Sequence, residues 1–392
     1  MIAPQPAAES APVVLQVLPA LETGGVERGT VDIAQAVVEA GWTALVASRG
    51  GPMVREIERA GGMHIELPVD SKNPLTMWRN VERLAELVHE RRVDILHARS
   101  RAPAWSALAA ARRTGVAFVT TFHGNYADGN PLKHWYNSVM ARGDRVIAIS
   151  RFIAEQLETR YGVDPARIRI IERGVDTRLF DPAAVSARRV IQLATQWRLP
   201  DDRPVVMLPG RLTRWKGQSV LIEALARIEQ HGGLRCVLVG SDQGRSAYRT
   251  ELENEIARHG LGDTVQIVGH CRDMAAAYML ADVVVSASIE AEAFGRVIAE
   301  AQAMGRPVIA SDHGAARETV IPGVTGWLVP PGDASALAGA LREALAIDGT
   351  TRAQLASRAI QHVRDNFTRE LMCNRTLAVY REVLAERQRA VP

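Results

Sequence analysis

Short β-branched runs alternate with longer stretches of helical apolar spacing along almost the whole chain, and that alternation limits what it can fold into. Val13-Val14-Leu15-Gln16-Val17-Leu18 reads as a strand, and apolar residues at helical spacing follow over 26–40. Ala44 to Ala47, Val93 to His97, Phe118 to Thr121 and Arg145 to Ile149 continue the strand series. A second series opens at Pro204. Val205 to Leu208 precedes a helix over 219–230, and Cys236 to Val239 precedes a helix over 247–259. Val265 to Val268, Val283 to Val285 and Pro307 to Ala310 complete it, and the pattern is helical after Asp333. Repeated βα units predict parallel sheets with helices on both faces. The polar stretch Arg198 to Pro204, with two prolines, reads as a hinge. A chain of 392 residues suits two domains of near-equal size. The expectation is therefore an α/β protein of two doubly wound domains, 1–197 and 198–370. They should face a cleft at the carboxyl ends of both sheets. A terminal helix, 371–392, should return to the first domain.

Charge excludes some functions. The net charge is only +3, and a general nucleic-acid binder is usually far more basic. The charge is uneven: residues 72–151 hold 13 Lys and Arg against 6 Asp and Glu. A basic face suits an anionic partner, such as a phosphorylated acceptor or an anionic membrane surface. The alternative is a set of solvated helix faces. The longest apolar runs are strand-sized, too short to span a bilayer. Met1 to Pro6 has no basic start followed by an apolar run, as a secretory leader would. Cys236, Cys271 and Cys373 lie far apart and form no metal-ligand spacing or disulfide framework. These features together suggest the cytoplasm.

Three segments carry chemistry. Thr23-Gly24-Gly25-Val26-Glu27-Arg28 follows the first strand. Two glycines there let a phosphate or sugar approach the backbone, and the next helix turn favours negative charge. The segment lacks the GxGxxG spacing of dinucleotide sites, and a purely structural Gly-Gly turn is the alternative. Pro209-Gly210-Arg211-Leu212-Thr213-Arg214-Trp215-Lys216-Gly217-Gln218 places Arg211 and Lys216 five residues apart at a strand end. Such a pair can grip a diphosphate, the Arg as a fork and the Lys as a point charge. Lys216 is the last of only three lysines, after Lys72 and Lys133, so an Arg-rich chain keeps Lys at this loop. A solvated surface pair is the alternative. The third segment, Glu290 to Ala301, sets Glu292 in a loop and Glu300 within the following helix. Amides of Phe294, Gly295, Arg296 and Val297 would point at an anion from the helix start. Ordinary first-turn and mid-helix glutamates are the alternative.

Together these segments resemble glycosyltransferase family 4, retaining enzymes of GT-B fold with two Rossmann-like domains. The family's paired glutamates, seven residues apart around Phe-Gly, match Glu292-Ala293-Phe294-Gly295-Arg296-Val297-Ile298-Ala299-Glu300. Its Gly-Arg and Lys-Gly elements match Gly210-Arg211 and Lys216-Gly217. Ile149-Ser150-Arg151, Gly174-Val175-Asp176 with Phe180, and the stretch from Gly305 to Val329 fall in family order. Gly24 to Arg28, His97 to Arg101 and Thr121 to Gly124 look most like enzymes building lipopolysaccharide core or surface polysaccharide in Gram-negative bacteria. Ala293 stands where the family usually has Gly, and Arg173 where Asn is common.

The resemblance implies a nucleotide-diphosphate sugar as donor substrate, no cofactor and no metal. It places His123 against the donor sugar, and Cys271 and Asp273 beside the base; Asp273 is equally suited to cap the helix at Met274. It makes Glu292 the acceptor of a sugar hydroxyl and Glu300 of the ribose diol. His123, Arg211, Lys216 and Glu292 are the expected catalytic set, with Gly24 and Gly25 also at the donor. Lys72, Arg99 and Arg101 are candidate contacts to a glycan or lipid-linked acceptor, by charge and position. The segment 130–142, with Trp135, Tyr136, Lys133 and Arg142, could rest on an anionic inner-membrane surface. A nucleotide-sugar epimerase or sugar phosphorylase of the same fold is the alternative activity.

Overall fold

The structure, a computed structural model, describes residues 11–126, 129–228, 233–244 and 246–390. Met1 to Pro6, which carry the reading of the N-terminus, and Gln230 lie outside them. The chain divides into two compact units, Met1–Glu172 with Glu370–Pro392, and Arg173–Arg369.

The first unit is built on seven strands: β1 Val13–Val17, β2 Thr43–Ser48, β3 Met63–Glu66, β4 Ile95–Ala98, β5 Ala117–Phe122, β6 Arg145–Ala148 and β7 Ile168–Ile170. They pair in parallel in the order β3-β2-β1-β4-β5-β6-β7. Its central strands are continuous Val, Ile, Leu and Ala runs because both faces are covered. The last helix, Arg369–Ala390, supplies Met372, Leu377, Val379, Tyr380 and Val383 to the core that holds Val14, Ile33, Ile95 and Val119.

The second unit has six strands: β8 Val205–Pro209, β9 Arg235–Val239, β10 Val265–Gly269, β11 Val283–Ser286, β12 Val308–Ser311 and β13 Trp327–Val329. They also pair in parallel, in the order β10-β9-β8-β11-β12-β13. Helices Gln218–Ala226, Ser246–Arg258 and Ala334–Ala346 pack on it through Leu221, Leu225, Leu252, Leu337 and Leu341.

Each sheet reverses its winding once, between β1 and β4 in the first unit and between β8 and β11 in the second. Adjacent crossovers leave these strand pairs to opposite faces, opening a crevice beyond their carboxyl ends. The helices that follow these four strands start at Gly25, Arg101, Gln218 and Arg296, and none takes a side-chain hydrogen bond from its N-cap residue. By contrast, Asn73, Ser150, Asp273, Asp333 and Asp348 cap their helices with a side-chain oxygen. A helix start without a side-chain cap is a setting in which an anion can take the cap's place.

Candidate active site

In the second unit, β8 ends at Pro209 and the chain turns through Gly210 and Arg211 into a 3-10 turn, Arg214–Lys216. Gly217 follows at φ +70, where a Cβ would stand 1.9 Å from the Ala287 carbonyl oxygen. Only glycine meets both demands, and the close approach brings the loop against the segment after β11. The Ile289 amide donates to the Trp215 carbonyl at 2.8 Å and locks the two loops together.

This contact sets Lys216 against Glu292. Lys216 Nζ lies 2.7 Å from Glu292 Oε1, with the side chains 13% and 16% exposed. Ser286 and Ser288 donate their hydroxyls to the same oxygen. The carboxylate is thus pinned by one edge, and Oε2 has no partner among the described residues. Burial raises the Glu292 pKa, but Lys216 and the two serines outweigh it and hold the group below its usual range. The result is an anchored, charged carboxylate with one oxygen left to accept a ligand hydroxyl. The third loop, after β12, supports it from behind: the Ala315 amide donates to the Glu292 carbonyl at 3.0 Å. Lys216 also lies 4.4 Å over the Trp215 ring, and its remaining N–H groups stay available. Arg211 is exposed.

Gly295 takes the left-handed conformation, φ +81, and becomes the N-cap of the helix Arg296–Ala303. The expected row of open amides begins later than the sequence suggested. Phe294 is buried, edge-on to Phe367 at 5.7 Å, and the Ile298 amide returns to the Gly295 carbonyl. The first turn proper therefore starts at Arg296 and Val297, and Gly295 gives it no side-chain cap. Ala293 sits half-buried just before the turn.

Glu300, 7% exposed, receives Arg296 at 2.6 Å and the Tyr278 hydroxyl at 3.0 Å. Burial and the Glu300 charge push the Tyr278 hydroxyl well above its usual pKa, so it stays a donor. Asp273 caps the helix Met274–Leu280 through the Ala276 amide and is gripped by Arg189 at 2.7 and 2.9 Å. Cys271 lies half-buried beside it, and burial raises its thiol pKa.

In the first unit, Gly24 and Gly25 form the turn after β1. A Cβ on Gly24 would stand 2.3 Å from Glu27 Oε2, because that side chain folds back over the turn. His123 follows β5 directly. Arg99 is not presented to solvent. It is 4% exposed, and burial lowers its pKa against the pull of Tyr380 and Asp32. Arg101 donates to Asn137 Oδ1 at 2.7 Å and lies 4.0 Å over the Tyr126 ring. Lys72 is exposed, two residues ahead of the helix Pro74–Glu90.

The structure therefore brings Lys216 and Glu292 together and pairs Glu300 with Arg296 four residues earlier. The sequence did not single out Ser286, Ser288, Tyr278 or Arg189. Ser286, ending an otherwise valine-rich strand, and Ser288 in the loop before Glu292 were the readable sign.

Residues 191–362 match the family description "Glycosyl transferases group 1", and residues 23–179 match "Glycosyltransferase Family 4". A solved glycosyltransferase from Rickettsia africae is similar at 38% identity and a TM-score of 0.89, covering 96% of this chain and 99% of that one. Anabaena Alr3699/HepE in complex with UDP and glucose is similar at 25% identity and a TM-score of 0.83, covering 94% and 99%. A D-inositol 3-phosphate glycosyltransferase of Xylanimonas cellulosilytica is 38% identical over 224 residues, 56% of this chain and 53% of that protein. The chain spans about half the length of the curated relatives it matches. With both doubly wound sheets and these matches in place, the chain belongs to the GT-B glycosyltransferases of the family 4 type.

Proposed function

We propose that the chain transfers a sugar from a nucleotide-diphosphate donor to a hydroxyl of a glycan or lipid-linked acceptor, with retention at the anomeric carbon and without a metal ion. The observation that carries this reading is the Glu292 carboxylate, fixed at Oε1 by Lys216 and two serines and open at Oε2. It stands at the crevice of the second sheet, beside an uncapped helix start. The related HepE was solved with UDP and glucose, which supports a nucleotide sugar as donor.

In this reading Glu292 Oε2 accepts a sugar hydroxyl and orients the ring. As the glycosidic bond breaks, negative charge builds on the departing diphosphate. Lys216, Arg211 and the positive end of the helix Arg296–Ala303 stabilise that charge more than they stabilise the ground state, which is the catalytic term. These cations take the part that a divalent ion plays elsewhere, and no Asp-x-Asp occurs in the sequence. The departing phosphate assists front-face attack by the acceptor, so no protein nucleophile is assigned. Glu300, seated by Tyr278 and Arg296, accepts from the ribose, and Arg189 with Asp273 shape the loop beside the base.

The acceptor belongs to the first unit, with Lys72 and Arg101 at the carboxyl side of its sheet. The basic stretch there suits a phosphorylated or lipid-linked glycan, as in lipopolysaccharide or surface-polysaccharide assembly. The name of the Xylanimonas relative, with its inositol 3-phosphate, supports a phosphorylated acceptor. Exposed Leu75, Trp78, Leu132 and Trp135 add an apolar surface to this unit, consistent with work at an anionic membrane.

A thermal-shift screen of nucleotides and nucleotide sugars, repeated with Lys216→Ala, tests the donor reading. A ligand that binds only the folded state raises Tm. The expected result is a shift with one nucleotide diphosphate family that Lys216→Ala abolishes. Turnover that requires Mg²⁺ or Mn²⁺, or that survives Lys216→Ala and Arg211→Ala unchanged, would overturn it.

A further inference from the structure

The first unit has a second basic feature, remote from the β1–β4 crevice. An open cavity of about 430 Å³ is lined by Arg112, Ser138, Arg142, Tyr161 and Arg167. It lies at the amino-terminal end of the sheet. Its walls come from the last turn of the helix Arg101–Thr114, the turn Ser138–Ala141 ahead of β6, and the end of the helix Arg151–Tyr161. No carboxylate lines it.

Among the described residues, none of the three arginines is held in an ion pair. Arg113, next to Arg112, is paired with Glu82, whereas Arg112 has no ion-pair partner among the described residues. Arg142 donates to Ser138 Oγ at 3.1 Å and stacks 5.2 Å from the Trp105 ring. Arg167 donates to the Gly143 carbonyl. Each contact fixes a guanidinium in place and none neutralises it. Three like charges sharing one concave surface repel each other, and the negative ends of the two helices, each about half a charge, offset only part of that positive charge. A bound anion removes that repulsion, and guanidinium forks match phosphate oxygens.

We propose that this cavity binds a phosphate-class anion, a monoester or diester, separate from the donor diphosphate. Its setting bears on the source of that anion. Arg142 touches Trp105, which stacks on the exposed Trp135 at 4.3 Å. Tyr161 stacks on His134 of the helix Pro131–Asn137, which also carries exposed Leu132. Apolar and aromatic side chains beside a basic cavity fit the boundary between lipid headgroups and acyl chains. A free phosphate ester offers the same oxygens.

The test uses the full chain and three probes: inorganic phosphate, glycerol 3-phosphate, and vesicles of phosphatidylcholine with or without phosphatidylglycerol. Phosphate titrations are run in the Lys216→Ala background, so that binding at the donor site, and failure of the proposed transferase reading, do not enter. The expected result is saturable phosphate binding that Arg112→Gln with Arg167→Gln weakens at least tenfold, with Tm in ligand-free buffer unchanged. Arg112→Gln alone, at an exposed position, serves if the double variant folds poorly. Vesicle binding that needs phosphatidylglycerol and is competed by glycerol 3-phosphate assigns the anion to a lipid headgroup. Phosphate binding without vesicle binding assigns it to a soluble ester. Phosphate and vesicle binding that are both absent, or both indifferent to Arg112 and Arg167, overturn the proposal.

Discussion

The Tyr380 hydroxyl lies 2.6 Å from His97 Nδ1, a hydrogen bond between residues 283 positions apart and both fully buried. His97 Nε2 meets Thr121 Oγ1 at 2.7 Å. Burial, with Arg99 nearby, keeps His97 well below its usual pKa, so the ring is neutral and each nitrogen has one partner. The last helix is thereby fastened into the layer beneath β4 and β5. Tyr380→Phe leaves His97 Nδ1 unsatisfied, at a cost of about 1–3 kcal/mol. Urea unfolding should show a lower midpoint with unchanged slope. Deleting the helix Arg369–Ala390 exposes Met372, Leu377, Val379 and Val383 together and should yield insoluble protein.

Lys216 has two functions that can be separated. It neutralises a mostly buried carboxylate, and it is placed to stabilise developing charge on the donor. Lys216→Met leaves Glu292 charged and nearly buried, a loss of about 3 kcal/mol. Adding Glu292→Gln removes the stranded charge, so the double variant should recover most of that stability. Its turnover should stay down by about 100-fold or more, because the cation at the leaving group is still missing. Activity that returned with stability would mean that Lys216 acts only through the fold.

The same pair predicts acid sensitivity. The folded-state pKa of Glu292 lies below its ordinary value, because Lys216, Ser288 and Ser286 outweigh the burial that raises it. A depressed carboxylate contributes stability above its unfolded pKa, about 4.3, and loses that contribution as pH falls through the folded value. Wild type should therefore exceed Glu292→Gln by a constant margin from about pH 7 to 5, and the margin should shrink below about 4.3. Asp273, held down by Arg189, and Glu382, held down by Arg169, titrate in the same direction. The difference between the two proteins isolates Glu292. A margin that persisted at low pH would contradict the ion pair.

Most strands legible in the sequence are those buried on both faces; β10, at a sheet edge, was legible through its run Val265 to Val268. Val205 to Leu208 and Val283 to Val285 are unbroken apolar runs because helices cover each side. Three strands of the structure escaped that reading, β3, β7 and β13, and all three are at sheet edges. Met63-His64-Ile65-Glu66 and Ile168-Arg169-Ile170 alternate apolar with polar residues over only three or four positions, too few to separate from a loop. Site residues divide in the same way. Glu292, Lys216 and Gly295 were legible because their spacing is local. The Ser286 and Ser288 bonds to Glu292, and the grip of Arg189 on Asp273 across 84 positions, depend on which loops the sheet order brings together. Arg99 misled because a charged side chain at a strand end looks exposed, whereas here it is buried, near enough to Tyr380 and Asp32 to feel their charge.

Gly217 carries the last prediction. Its φ of +70 and the 1.9 Å separation between a built Cβ and the Ala287 carbonyl oxygen mean that alanine must move backbone, not a flexible side chain. That movement would separate the two loops joined by the Ile289 to Trp215 hydrogen bond and carry Lys216 away from Glu292. Gly217→Ala should therefore lower both stability and nucleotide-sugar binding. Gly339 is the control. It lies inside the helix Ala334–Ala346 with open space around its Cβ direction, so Gly339→Ala should stabilise by up to about 1 kcal/mol and leave binding alone. Thermal unfolding with and without the donor identified in the nucleotide screen measures both effects. Equal behaviour of the two variants would show that the close approach at Gly217 does not hold the site together.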